Sequence, residues 1–214
     1  MGSCVIFCAG EFNALAQSVG KEDWVIAADG GLVHVQKLGL TPNCILGDFD
    51  SLGYIPQNSQ VFPVEKDDTD AMLAARQGLA RGYREFLFYG GMDGPRADHM
   101  IANFQTLSFL AAHGARGYLV GKSTTATVIK NETVSFPAIS EGIVSLFCLG
   151  ENALGVTIRG LQYPLEDGTL THSHPLGVSN HFVGEPVSVR VAKGELLMLY
   201  PTRAGFPKRE GHHG

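Results

Sequence analysis

Apolar positions along this chain follow two different rhythms. In the first half, short unbroken apolar runs alternate with stretches whose apolar residues recur at helical spacing. The runs are Cys4-Val5-Ile6-Phe7-Cys8-Ala9, Trp24-Val25-Ile26-Ala27-Ala28, Cys44-Ile45-Leu46, Phe86-Leu87-Phe88-Tyr89 and Tyr118-Leu119-Val120-Gly121. Runs of this kind predict strands buried on both faces. Gln60-Val61-Phe62-Pro63-Val64 predicts a further short strand, with Pro63 favouring a sheet edge or a strand end. Between the runs, the spacing predicts helices from Phe12 to about Val19, and over Leu32 to Leu38, stopped by Gly39 and Pro42. A third carries Ala71, Met72, Ala75 and Leu79 on one face and ends near Gly82, with Asp68 as its N-cap. A fourth, from Ala97 to His113, has Met100, Phe104, Leu107 and Ala111 on its apolar stripe. Strands and helices in alternation predict an α/β fold around a doubly wound, mostly parallel sheet.

The rhythm changes near residue 122. Short alternating strands follow without helical segments: Thr127-Val128-Ile129, Thr133 to Phe136, Ile143 to Phe147, Gly155 to Arg159, Val187 to Val191 and Leu196 to Tyr200. They predict a second, all-β antiparallel sandwich domain. Gly160 to Leu165 and the stretch from His172 to Asn180 read as interruptions; His172 and His174 lack a third metal ligand at convincing spacing and read as a polar loop. The predicted boundaries are residues 1–122 for the α/β domain and 123–206 for the sandwich. Residues 207–214, ending Gly211-His212-His213-Gly214, resemble an appended tag.

Composition narrows the picture. An apolar content of 44% and a formal net charge of −5 are those of an ordinary globular chain. The absence of a basic block excludes a charge-driven nucleic-acid binder. No apolar stretch approaches membrane-spanning length, and the first apolar run is too short for a secretory segment. Cys4, Cys8, Cys44 and Cys148 fall at no metal-ligand spacing, and most of them lie in apolar runs, which predicts reduced, buried thiols of a cytoplasmic protein.

The candidate chemistry collects where strands end. Ile45-Leu46-Gly47-Asp48-Phe49-Asp50-Ser51 places two carboxylates two residues apart just after a strand. If strand geometry held through Asp50, both would share a face, and like charges on one face call for a cation. A divalent metal and a simple polar turn both account for this stretch taken alone. Asp29 stands before Gly30-Gly31 at the end of the second strand, and Lys66, Thr69 and Asp70 precede the third helix, where acidic residues also serve as ordinary caps. Arg96, His99 and Asn103 line one flank of the fourth helix near its N-terminus, a place suited to phosphate, with Asp98 beside them. Arg96 and Asp98 rank above His99 as candidates. A doubly wound sheet gathers such strand ends in one crevice. Carboxylates that hold magnesium beside cations suit phosphoryl chemistry, although neither G-x-x-x-x-G-K-[ST] nor G-x-G-x-x-G occurs.

Six motifs in order carry a resemblance: Asp29-Gly30-Gly31; Gly47-Asp48-Phe49-Asp50-Ser51; Lys66 with Thr69-Asp70; Arg96-Ala97-Asp98-His99 with Asn103; Gly160-Leu161-Gln162-Tyr163-Pro164-Leu165; and Gly177-Val178-Ser179-Asn180. Over nearly the whole chain to about Pro201 the sequence resembles thiamine pyrophosphokinases. The resemblance implies transfer of a pyrophosphoryl group from ATP to the hydroxyl of thiamine, giving thiamine diphosphate and AMP. It also implies a nucleotide- and metal-binding α/β domain, a thiamine-binding and dimerising β-sandwich, and a homodimer with active sites at the subunit interface. By the same resemblance Asp48, Asp50 and Asp70 hold magnesium, with Asp29 as a further ligand or hydrogen-bond partner. Among the carboxylates, Asp70 or Asp98 is the expected acceptor of the hydroxyl proton. Lys66, Thr69, Arg96, Asp98 and Asn103 serve ATP, while Tyr163, Ser179 and Asn180 serve thiamine. An aromatic face suits the cationic thiazolium, at about 0.5–2 kcal/mol. Gly94-Pro95 stands where such enzymes usually carry two glycines, and Pro95 removes a backbone donor. A magnesium-dependent phosphohydrolase is the competing reading of the same carboxylates, and a non-catalytic binding module leaves them without purpose.

Overall fold

A computed structural model describes residues 2–50, 52–63 and 67–211. The chain divides into two compact units, residues 1–122 and 123–214.

The first unit contains β1 (Cys4–Phe7), β2 (Trp24–Ala28), α1 (Leu32–Lys37), β3 (Cys44–Gly47), β4 (Gln60–Val61), α2 (Asp70–Ala80), β5 (Glu85–Tyr89), α3 (Ala97–Ala112) and β6 (Arg116–Val120). Its strands pair in parallel in the order β6-β5-β1-β2-β3-β4. The chain leaves β1 toward β2 and later returns to β1's other side as β5, so the winding reverses beside β1. That reversal opens a crevice at the C-terminal strand ends. Phe7, Phe86, Phe88, Ile6, Ile26, Leu46, Leu87 and Leu119 are fully buried within the sheet. Each such side chain contributes about 1.5–3 kcal/mol of burial.

The helices sit closer to the sheet than their larger apolar residues suggest. α2 buries Ala71, Ala74, Ala75 and Gly78, while Met72 and Leu79 stay partly exposed. A Cβ at Gly78 would lie 2.4 Å from the Phe86 ring, so the small face is what permits the approach. α3 buries Asn103, Thr106, Leu107 and Leu110, a stripe rotated from the expected one, with Met100, Phe104 and Ala111 at its margin. The α2 cap is Thr69, whose Oγ1 accepts from the Met72 amide at 3.2 Å, whereas Asp68 pairs with Arg76 at 2.9 Å.

The helix expected over Phe12 to Val19 is not formed. Phe12 instead anchors the segment among the rings of Phe7, His34 and Tyr89, and the Ala16 amide donates to the Tyr89 hydroxyl at 3.1 Å. Apolar residues that pack singly onto a neighbouring ring cluster leave no continuous helix face to bury.

The second unit is all-β and antiparallel. One sheet runs β12-β9-β14-β7, from β7 (Thr124–Lys130), β9 (Ile143–Cys148), β12 (Gly177–His181) and β14 (Glu195–Pro201). The other runs β11-β10-β13-β8-β15, from β8 (Glu132–Phe136), β10 (Asn152–Arg159), β11 (Leu165–Thr171), β13 (Val187–Arg190) and β15 (Lys208–Gly211). Val134, Phe136, Val156, Ile158 and Val189 of one sheet join Ile129, Val144, Leu146, Leu196 and Met198 of the other in a single core. The expected α/β domain followed by an antiparallel sandwich is therefore the fold.

The stretch from His172 to Asn180 ends in a strand, β12, and a further strand, β11, begins at Leu165 where the interruption from Gly160 ends. Both are edges of their sheets, so most of their residues face solvent and the apolar alternation that marks an inner strand is missing. The presumed tail is also structured: Lys208–Gly211 pair with β8. Arg209 is responsible, its guanidinium buried against Glu132 at 2.6 Å and the Val128 carbonyl at 3.0 Å, with Thr127 as a further partner.

Candidate active site

Three backbone choices build an acidic cluster where β2 and β3 end. Asp29 follows β2 directly and adopts a left-handed φ of 48°. Gly47 closes β3 at φ 148°, and a Cβ there would lie 3.0 Å from the Asp29 Cα. Only glycine lets the two strand ends come this close. Phe49 is also left-handed, at φ 60°, and its buried ring pins the turn from below. Left-handed conformations at non-glycine residues each cost about 1–3 kcal/mol and gather where function requires them.

One carboxylate oxygen from each of Asp29, Asp48 and Asp50 lies within 4.8 Å of the others. The convergence comes from a turn and not from strand pleating, because β3 stops at Gly47 and the Asp50 amide donates back to Asp48 Oδ1 at 3.2 Å. Asp29 is buried and its Oδ1 has no hydrogen-bond partner among the described residues. A buried carboxylate oxygen without a donor is costly unless a cation completes it. Three hard oxygen donors of this kind fit magnesium.

Asp29 also lines the neighbouring crevice, a cavity of about 310 Å³ at the sheet's winding reversal. The floor comes from Cys8, Ala9 and Gly10 after β1, and one wall from Thr69 and Asp70 at the start of α2. The opposite wall is the glycine-rich segment Gly90 to Arg96 with His99, Met100 and Asn103 of α3. Gly10 and Gly90 hold the two loops together, the Gly10 amide donating to the Gly90 carbonyl at 2.9 Å. Asn103 Nδ2 donates to the Gly91 carbonyl at 2.7 Å, so this buried amide shapes the glycine segment from behind. Asp93 Oδ2 accepts from the Lys122 amide at 2.6 Å and fastens the far end of the same segment.

Arg96 stands at the mouth, paired in a fork with Asp98: Nε to Oδ1 at 3.0 Å and Nη2 to Oδ2 at 2.6 Å. That guanidinium, helped by the His99 backbone amide, holds the Asp98 carboxyl down at about 2. Inside the cavity, burial pushes the Cys8 thiol up to about 12, with the Asp70 carboxylate adding to the shift.

The predicted residues thus divide. Asp29, Asp48 and Asp50 meet; Asp70 stands in the cavity wall outside that group, with Thr69, Arg96 and Asn103. Asp98 does not line the cavity, whereas His99, ranked below it, does. Lys66 lies outside the described residues. Sequence reasoning passed over Cys8 to Gly10 and Met92 to Asp93; the position of Gly10 at the end of a central strand was the available signal.

In the second unit, Tyr163 precedes β11 and is 59% exposed. Ser179 lies in β12 at φ 59°, with its amide donating to Ser145 Oγ at 3.1 Å. Asn180 is buried, and its amide group is bound to the backbone of Tyr163.

An acidic cluster whose Asp29 lines a winding-reversal crevice, together with an arginine and a helix N-terminus, defines an enzyme of the nucleotide-dependent phosphotransferase class. The sequence model described as "Thiamin pyrophosphokinase, catalytic domain" matches residues 15–119, and "Thiamin pyrophosphokinase, vitamin B1 binding domain" matches residues 129–196. The chain belongs to the thiamine pyrophosphokinase family. It is 27% identical over 217 aligned positions to the thiamine pyrophosphokinase of Bacillus subtilis, covering 92% of this chain and 97% of that one. The crystal structure of the Bacillus subtilis enzyme has the same fold, with a TM-score of 0.82 at 24% identity over 93% of this chain and 98% of that one. The thiamin pyrophosphokinase of Geobacillus thermodenitrificans gives 0.78 at 23% identity over 94% and 97%. That of Candida albicans gives 0.70 at 14% identity over 94% and 89%.

Proposed function

We propose that this chain is an ATP-dependent thiamine diphosphokinase, moving the pyrophosphoryl group of ATP to the thiamine hydroxyl and releasing AMP. The observation that carries the reading is the junction at Asp29, which belongs at once to the three-carboxylate cluster and to the wall of the 310 Å³ crevice. Catalytic and vitamin-binding sequence models matching in order along one chain supply the substrate pair.

Asp29, Asp48 and Asp50 would hold magnesium, which when bound neutralises charge on the transferred group. The remaining work falls to the chain. The α3 N-terminus and the amides of the glycine segment favour phosphate oxygens, except at Pro95, which has no N–H to offer. Arg96 can move from Asp98 to a phosphate at little cost, since the pair is exposed. Thr69 and Asn103 fix the two walls, and Lys66 would add positive charge.

Transfer requires that the thiamine hydroxyl oxygen bond to the β-phosphorus as the bond to the α-phosphoryl oxygen breaks, and that the hydroxyl proton find a base. Asp70 suits that role, because it faces the cavity. Asp98 is the weaker acceptor, since Arg96 keeps its carboxyl near 2. The exposed ring of Tyr163 and the hydroxyl of Ser179 would receive thiamine. A homodimer and a cytoplasmic location complete the proposal; all four cysteines are free thiols, and no helix among the described residues is long and apolar enough to cross a membrane.

The test is incubation with ATP, magnesium and thiamine. AMP and thiamine diphosphate must appear together and only when thiamine is present. Inorganic phosphate released without thiamine would instead establish a phosphohydrolase. Asp50→Asn should abolish turnover with the melting temperature unchanged; a fully active variant would dissolve the metal assignment.

A further inference from the structure

We infer that Asn180 is a positioning residue for Tyr163, setting the aromatic face for the acceptor without touching the acceptor itself. The inference rests on the reading that this unit receives thiamine. Asn180 is 5% exposed, and both ends of its amide group bind backbone. Its Oδ1 accepts from the Tyr163 amide at 2.9 Å and from the His181 amide at 2.9 Å. Its Nδ2 donates to the Tyr163 carbonyl at 2.7 Å. The side chain thereby copies the paired exchange of N–H and C=O that two residues make across an antiparallel ladder.

The copy is needed because the real ladder fails at this point. Leu161 still bridges Phe182, and the Gln162 amide still donates to the His181 carbonyl at 3.0 Å. One residue further, no backbone hydrogen bond joins Tyr163 to Asn180; on its other side β12 shifts register against β9 between Gly177 and Asn180, and Ser179 turns left-handed at φ 59°. Pro164 follows Tyr163 and has no N–H with which to extend the pairing. Without the Asn180 amide, Tyr163 would have neither of its backbone groups held, and an exposed ring on a loose backbone presents no fixed face. An aspartate of the same shape would set a carboxylate oxygen against the Tyr163 carbonyl, so the amide is specifically required.

The test is a double-mutant cycle on the full-length enzyme with magnesium, ATP and thiamine, comparing wild type, Tyr163→Ala, Asn180→Ala and the double variant. Each is read as kcat/KM for thiamine, KM for ATP, and calorimetric Kd for thiamine. We expect Tyr163→Ala and Asn180→Ala each to lower kcat/KM for thiamine about tenfold, with KM for ATP unchanged. The double variant should be no worse than Tyr163→Ala. Multiplied losses in the double variant would show that Asn180 meets thiamine directly and overturn the inference, as would an Asn180→Ala enzyme of normal thiamine affinity. An unchanged Tyr163→Ala enzyme would instead overturn the thiamine role of the ring, and the inference with it. If Asn180→Ala does not fold, Asn180→Asp keeps the shape and one acceptor, and the same four-way comparison applies.

Discussion

Replacing Gly47 by alanine probes the acidic cluster without touching a carboxylate. The new Cβ would lie 3.0 Å from the Asp29 Cα and 3.1 Å from both its Cβ and its amide nitrogen. Ordinary contacts of this kind begin near 3.4 Å, so Asp29 must retreat by a few tenths of an ångström. The φ of 148° adds backbone strain of about 1–3 kcal/mol for an L side chain. Two kcal/mol on a chain of this size lowers the melting temperature by about 4–8 °C. Metal ligands tolerate displacements of only about 0.2 Å, so the magnesium concentration for half-maximal AMP production should rise about tenfold or more. The assay is thiamine-dependent AMP release against magnesium concentration, with thermal melting alongside. A Gly47→Ala enzyme with the wild-type magnesium requirement would refute the argument that this close approach aims Asp29 into the cluster. A melting temperature that fell while the magnesium requirement stayed constant would confine Gly47 to a structural role.

The C-terminal strand offers a stability test: Arg209→Ala leaves Glu132 largely buried without its partner and should cost about 3 kcal/mol, measured as a lowered urea midpoint. Arg209→Lys should recover only part of it, because an ammonium cannot reproduce the guanidinium's fixed fork; a silent Arg209→Ala would mean that β15 is dispensable. The Arg96–Asp98 pair makes a pH prediction. The folded carboxyl of Asp98, held near 2, lies below its unfolded value of about 3.9, so the pair's stabilising effect is present above pH 4 and lost as pH falls toward 2. Carbon-13 NMR should find Asp98 still ionised at pH 3, and Arg96→Gln should return its midpoint to the ordinary carboxylate range. An Asp98 midpoint near 4 in the wild-type enzyme would reopen its candidacy as the base.

The sequence by itself determined the fold class, because buried parallel strands need unbroken apolar runs while sandwich strands alternate. It also placed Asp29, Asp48 and Asp50 at strand ends, where a doubly wound sheet must collect them. Local pattern misled wherever packing was supplied from a distance. Phe12 looked like the first residue of a helix until three rings elsewhere in the chain anchored it. β11 and β12 carried too little apolar alternation to be legible, since an edge strand is specified by its partner's hydrogen bonds and not by its own burial. Lys208–Gly211 looked appended until Arg209 found Glu132 across the sequence. Only the tertiary structure decided that the acidic pair converges through a turn, that Asp98 is held by Arg96 outside the cavity, and that Asn180 faces Tyr163. These are matters of direction between atoms distant along the chain, and a one-dimensional pattern records which residues are available but not where they point.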